Sequence, residues 1–175
     1  MASLLRDQQI KKYNILAIQE PWRNPFQNTT HHPAKDKFFL CYPTQTDGHP
    51  AQVCFFVNKR LDNLTWHFKE HSQDLCSIIV STREEEGEAK QIAITNIYNS
   101  PQRTEGRASA VVELGRMLDS LTNMKHVVVG DFNLHHEIWD GTIEQSPEAE
   151  TEDLISTMDA VDVVNTTRRA SWLET

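Results

Sequence analysis

The run Val127-Val128-Val129-Gly130-Asp131-Phe132-Asn133 constrains this chain more than any other stretch. Three consecutive valines suit a strand buried on both faces, because β-branched side chains pack well on a pleated surface. Gly130 lets the backbone turn sharply, and Asp131 and Asn133 emerge two residues apart at the strand's carboxyl end, able to face the same way. Ile15-Leu16-Ala17-Ile18 repeats the arrangement: that strand runs through Gln19 into Glu20, where Pro21 stops it. Two buried strands, each delivering a carboxylate at its carboxyl end, supply what a hard cation beside a phosphate needs. Mg2+ takes oxygen ligands, keeps several waters and uses one or two protein carboxylates.

The 175 residues are enough for a single domain, 1–175, with its own core. No run of apolar residues is long enough to span a membrane and the N-terminus has no apolar signal core, so an intracellular, non-membrane protein is expected. Cys41, Cys54 and Cys76 show neither CxxC nor Cys/His ligand spacing and read as buried free thiols in a reducing compartment. The net charge of −8 argues at first against nucleic acid, but the excess is local. Glu84, Glu85, Glu86 and Glu88 form one cluster, and Glu144, Glu148, Glu150, Glu152 and Asp153 another; without these nine the remainder sums to +1. Charge therefore neither supports nor excludes DNA.

Residues 2–12 read as a short amphipathic helix with Leu4, Leu5 and Ile10 inward, followed by a strand at 14–20. Residues 21–37 form a long polar loop in which Trp22, Arg23, Phe26, His31, His32, Lys35 and Lys37 interleave aromatics with basic groups. That mixture suits phosphate contact and base stacking, or simply pins the loop to the core through Trp22 and Phe26. Strands are expected at 38–41, 52–58, 74–81 and 90–98, spaced closely enough for antiparallel pairing. Residues 106–122 form the clearest helix, with Val111, Leu114, Leu118 and Leu121 on one face and Met117 beside them. A strand at 125–131 and a helix near 151–160 follow, the latter opened by acids that suit the positive end of its dipole. Strands in succession with helices between some of them imply a layered α/β sandwich.

Three of these strings occur together and in order: Ile18-Gln19-Glu20, Ile97-Tyr98-Asn99-Ser100-Pro101 and Gly130-Asp131-Phe132-Asn133. In this the chain resembles the endonuclease/exonuclease/phosphatase superfamily. With Gln19-Glu20-Pro21-Trp22 and Asp131-Phe132-Asn133-Leu134-His135-His136-Glu137-Ile138-Trp139, it is most similar to the endonuclease domains of non-LTR (LINE-type) retrotransposons. The resemblance implies two packed, mainly antiparallel β-sheets flanked by helices, with the active site at one edge. It implies Glu20 as ligand of a catalytic Mg2+ or Mn2+, Asp131 orienting or deprotonating the attacking water, and Asn133 steadying the scissile phosphate. Tyr98, and with it Asn99, would contact phosphate, and His135, His136 and Trp139 would shape the loop or touch substrate. Trp22 and Arg23 join them as substrate-binding candidates, DNA is the implied substrate, the implied setting is nuclear, and no obligate protein partner is called for.

Each residue also has a plainer reading. Asp131 and Asn133 suit an Asx-type turn, Tyr98 a half-buried strand position, and Glu20 a routine charge at a strand end. The paired histidines find no third ligand at zinc spacing. Relatives of this family carry an earlier strand with an asparagine and a late Ser-Asp-His, yet no Asp-His pair occurs here. The chain is therefore expected to be incomplete at both termini. Three functions follow: a metal-dependent phosphodiester hydrolase acting on DNA, a catalytically inactive fragment of such a domain, or an enzyme for a phosphoinositide or other phosphomonoester.

Overall fold

The computed structural model describes residues 9–21, 36–44, 49–61, 65–83, 89–101, 108–136 and 149–160. Strands β1 (Ile15–Gln19), β2 (Phe38–Cys41) and β3 (Val53–Asn58) form an antiparallel sheet in the order β1-β3-β2. Strands β4 (Trp66–Ser72), β5 (Leu75–Arg83), β6 (Ala89–Tyr98) and β7 (Lys125–Asp131) form a second sheet in that order. β4, β5 and β6 pair antiparallel as a meander; β7 pairs parallel to β6 after a crossover through α1 (Ala110–Ser120). A parallel neighbour requires such a crossover, because a tight turn joins only antiparallel strands. A second helix, α2 (Ala149–Ala160), packs on α1. The architecture is the expected α/β sandwich of two mainly antiparallel sheets with helices on its flank.

Alternation along the strands sorts the core into layers. Val53, Phe55 and Val57 of β3 meet Cys76 and Ile78 of β5 and Tyr98 of β6 between the two sheets, with Ile15 and Ala17 of β1 beside them. Leu16 and Ile18 point the other way, toward Ile10, Phe38, Cys54 and Phe56 on the outer face. On the far side of the larger sheet, Leu75 and Ile97 pack under Val111, Leu114, Met117 and Leu118 of α1 and Leu154 of α2.

Several expectations are corrected. Trp66–Ser72 is a strand that the sequence reading passes over. It alternates Trp66 and Phe68, turned to the inter-sheet core, with His67, Lys69 and His71, and so carries too much charge to resemble a buried run. Helix α1 begins at Ala110 rather than 106, because Ser109 is extended and its side chain caps Val112 N at 3.3 Å. Helix α2 begins at Ala149, two residues ahead of expectation. In the described part of the N-terminal segment, Ile10–Lys12 is a turn of 3-10 helix, with Ile10 inward; Leu4 and Leu5 lie outside the described residues. β7 is not buried on both faces: among the described residues it has one neighbouring strand, and Val127 is 46% exposed. The three cysteines are free, and burial pushes the thiols of Cys41 and Cys54 up to about 11 and about 12.

Candidate active site

The carboxyl ends of β1, β6 and β7 and the amino ends of β3 and β5 lie along one edge of the sandwich. Register fixes this. Gln19 pairs with Val53, Leu75 with Ile97, and Tyr98 with Asp131. Backbone hydrogen bonds continue past the strand ends: Glu20 N donates to Gln52 O (2.8 Å), Gln52 N to Gln73 O (2.7 Å) and Tyr98 N to Asp74 O (3.0 Å). Both sheets thus deliver their ends to the same edge.

Five of the sequence-nominated residues come together there. Tyr98 faces the inter-sheet core, and its hydroxyl donates to Glu20 Oε1 at 2.6 Å, joining β6 of one sheet to the residue after β1 of the other. Simple alternation would send Glu20 outward with Leu16 and Ile18. Its φ of 46° places it in the left-handed region instead and redirects the side chain toward Tyr98. Asn133, at φ 47°, is the other non-glycine residue with positive φ among those described. Asn adopts this region readily, whereas at Glu20 it costs roughly 1–2 kcal/mol and survives where surrounding contacts over-determine it.

On the β6–β7 side the contacts are reciprocal. Asn99 N donates to Asp131 O (2.8 Å), Asn99 Nδ2 to Phe132 O (2.9 Å), and Asn133 Nδ2 returns to Asn99 O (2.8 Å). Asn133 N also donates to Asp131 Oδ1 at 3.1 Å, so the Asx turn and the gathering of site residues coexist. Leu134, buried, and Phe132 anchor this loop in the cluster beneath α1. Gly130 serves a different purpose from the sharp turn expected of it. It continues β7 in register with Ile97 at φ 146°, and a Cβ there would lie 2.0 Å from Ile97 O. Close approach of two strands, not a bend, demands the glycine.

Tyr98 is the electrostatic centre of the cluster. Its hydrogen bond to Glu20, then burial, then the charges of Glu20, Asp131 and Asp74 push its phenol up to about 12. The group stays protonated at neutral pH and acts as a donor. Glu20 and Asp131 are both exposed. His135 is exposed and His136 buried, while Trp22, Arg23 and Trp139 lie outside the described residues. Sequence reasoning missed Gln19, Asn96 and Asp74. Asn96 is a polar residue inside a β-branched run, two positions before Tyr98, which is the signal that would have found it. Among the described residues no three His, Cys, Asp or Glu side chains converge as a ready metal cage.

The layered α/β sandwich gathers carboxylates, amides and a tyrosine at one edge. Residues 92–173, just under half of the chain, match the family model described as endonuclease-reverse transcriptase. The match supports the endonuclease/exonuclease/phosphatase superfamily in its LINE-type branch, and thus broadly a nuclease. It spans Tyr98, Asn99, Asp131 and Asn133, whereas Glu20 lies ahead of it. A comparison with curated proteins gives no match.

Proposed function

We propose that this chain is a retrotransposon-type DNA endonuclease domain that hydrolyses phosphodiesters with the help of Mg2+ or Mn2+. The observation that carries the reading is the 2.6 Å contact between Tyr98 and Glu20, which draws a carboxylate from one sheet to the edge where the other sheet ends in Asp131. Exposed carboxylates beside the anionic backbone of DNA need a counter-charge. The donor set fits a hard divalent ion that keeps most of its waters, with Glu20 as its ligand. Such an ion, when bound, polarises a phosphoryl oxygen and stabilises charge developing in the transition state.

The chain's own residues supply the rest. Asp131 holds and orients the attacking water and takes its proton as the new oxygen–phosphorus bond forms and the bond from phosphorus to the leaving sugar oxygen breaks; that oxygen departs with the electron pair and is protonated from solvent. Asn133 Nδ2 spends one hydrogen on Asn99 O and keeps the second for a non-bridging phosphate oxygen. Tyr98 has one hydroxyl proton and gives it to Glu20, so its task is to fix that carboxylate; contact with phosphate would require the proton to change partner. DNA as substrate sets a nuclear location, with neither a membrane nor an obligate protein partner invoked.

The test is nicking of supercoiled plasmid with Mg2+ or with chelator, by the parent, Glu20→Ala and Asp131→Ala. Metal-dependent nicking should fall about 10²–10⁴-fold in each variant. Equal nicking by all three proteins would sink the site assignment. The second reading, a domain of this fold without turnover, predicts a folded but inactive parent. Inhibition by inositol phosphates, rather than by competing DNA, would favour the phosphomonoester alternative.

A further inference from the structure

Asn96 lies on β6 two residues before Tyr98, so both side chains enter the space between the sheets. It is fully buried, and its amide is engaged in three directions. Nδ2 donates to the carbonyl oxygens of Ile18 and Cys54, each at 3.0 Å, and Oδ1 accepts from Gln19 Nε2 at 2.5 Å. Ile18 and Cys54 are themselves partners in the β1–β3 ladder. One side chain of the larger sheet is thereby fastened to two strands of the smaller one.

An apolar residue would fill this place at lower desolvation cost, since a buried amide is tolerated only when its donors and acceptor are satisfied. What the amide adds is direction. The two sheets share no strand ladder, and the backbone bond that joins their ends, Gln52 N to Gln73 O, lies beside β3 and β5 rather than between β1 and β6. Asn96, held by Ile18 O and Gln19, meets β1 at its last two residues, and the Glu20–Tyr98 rung follows at the first residue after β1 and two residues on in β6.

We infer that Gln19 and Asn96 are positioning residues that hold the end of β1 where Glu20 reaches Tyr98, an inference that rests on the endonuclease reading for its catalytic meaning. Neither is a catalytic residue. Their effect passes through Glu20, and a misplacement of about 1 Å at a reacting group can cost on the order of 10²-fold in rate.

The test follows Tyr98 by NMR in protein labelled with 13C at the tyrosine rings, its signal assigned with Tyr98→Phe. Glu20→Ala gives the position of the signal once the contact is lost. Gln19→Met keeps chain length and apolar stem but removes the donor to Asn96. It should move the Tyr98 signal at least halfway toward the Glu20→Ala position while thermal unfolding stays cooperative. Asn96→Asp, which places an oxygen against the Ile18 and Cys54 carbonyls, should move the signal in the same direction. A Tyr98 signal unmoved in folded Gln19→Met, while Glu20→Ala shifts it, overturns the inference. The same proteins in the nicking assay separate the two claims. A kcat at least about tenfold lower for Gln19→Met with unchanged KM agrees with positioning. Equal nicking by parent and Glu20→Ala would refute the endonuclease assignment and leave the NMR result to decide the rung.

Discussion

The two halves of the candidate site are built by different means. On the β6–β7 side, Tyr98 and Asp131 are register partners on adjacent strands; behind them the Asn133 side chain donates to Asn99 O, and the Asn99 side chain donates to Phe132 O. On the β1 side, Glu20 reaches the site from the other sheet, through the single proton of Tyr98 and the rung behind it. The first half inherits its geometry from sheet formation. The second depends on one backbone bond from Glu20 N to Gln52 O and a few side-chain contacts, and small perturbations should separate it from the first.

Gly130→Ala should have the largest effect, because it attacks the sturdier half where no side chain can yield. The added methyl meets Ile97 O at 2.0 Å, a backbone atom, and φ 146° suits no L side chain. Denaturant unfolding should show a loss of about 3 kcal/mol or more. A loss below about 1 kcal/mol would show that β6 and β7 do not approach as closely as described.

Tyr98→Phe strikes the junction more gently. It removes one hydroxyl and leaves the ring in the inter-sheet core, so the protein should fold while nicking falls by about 10–100-fold. The decrease should appear mainly in kcat. With the phenol raised to about 12, the folded state binds this proton more tightly than an unfolded chain does. Its stabilising contribution is complete below about pH 10 and is lost as pH rises toward 12. An alkaline unfolding curve for Tyr98→Phe that overlays the parent's would contradict this linkage.

Much of the arrangement is legible in the sequence, and the misses have physical causes. The valines of β7, the apolar stripe of α1 and the order of three short motifs bring out the sandwich and nominate Glu20, Tyr98, Asn99, Asp131 and Asn133. Trp66–Ser72 escapes because its partners are supplied by tertiary pairing: His71 meets Ser77 Oγ at 2.9 Å, and Ser77 meets Thr95 at 2.8 Å, beneath a surface that looks merely polar. Burial lowers the His71 imidazole to about 4, a property no local pattern carries. Gln19 and Asn96 escape because they are 77 residues apart and gain meaning only when the sheets stack. The reason for Gly130 is hidden in the sequence for the same cause, since the neighbour that forbids a Cβ lies 33 residues earlier in β6 rather than next in the chain.

The central claim is that Glu20 and Asp131, delivered by different sheets, work as one site. A double-mutant cycle tests it most directly: plasmid nicking rates in Mg2+ for the parent, Glu20→Ala, Asp131→Ala and the double variant. Residues that act as a unit are strongly non-additive, so the double variant should be no slower than the worse single variant within about threefold. Losses that multiply across the two positions would mean that the carboxylates act independently, and that the meeting of the two sheets at this edge is not what performs the chemistry.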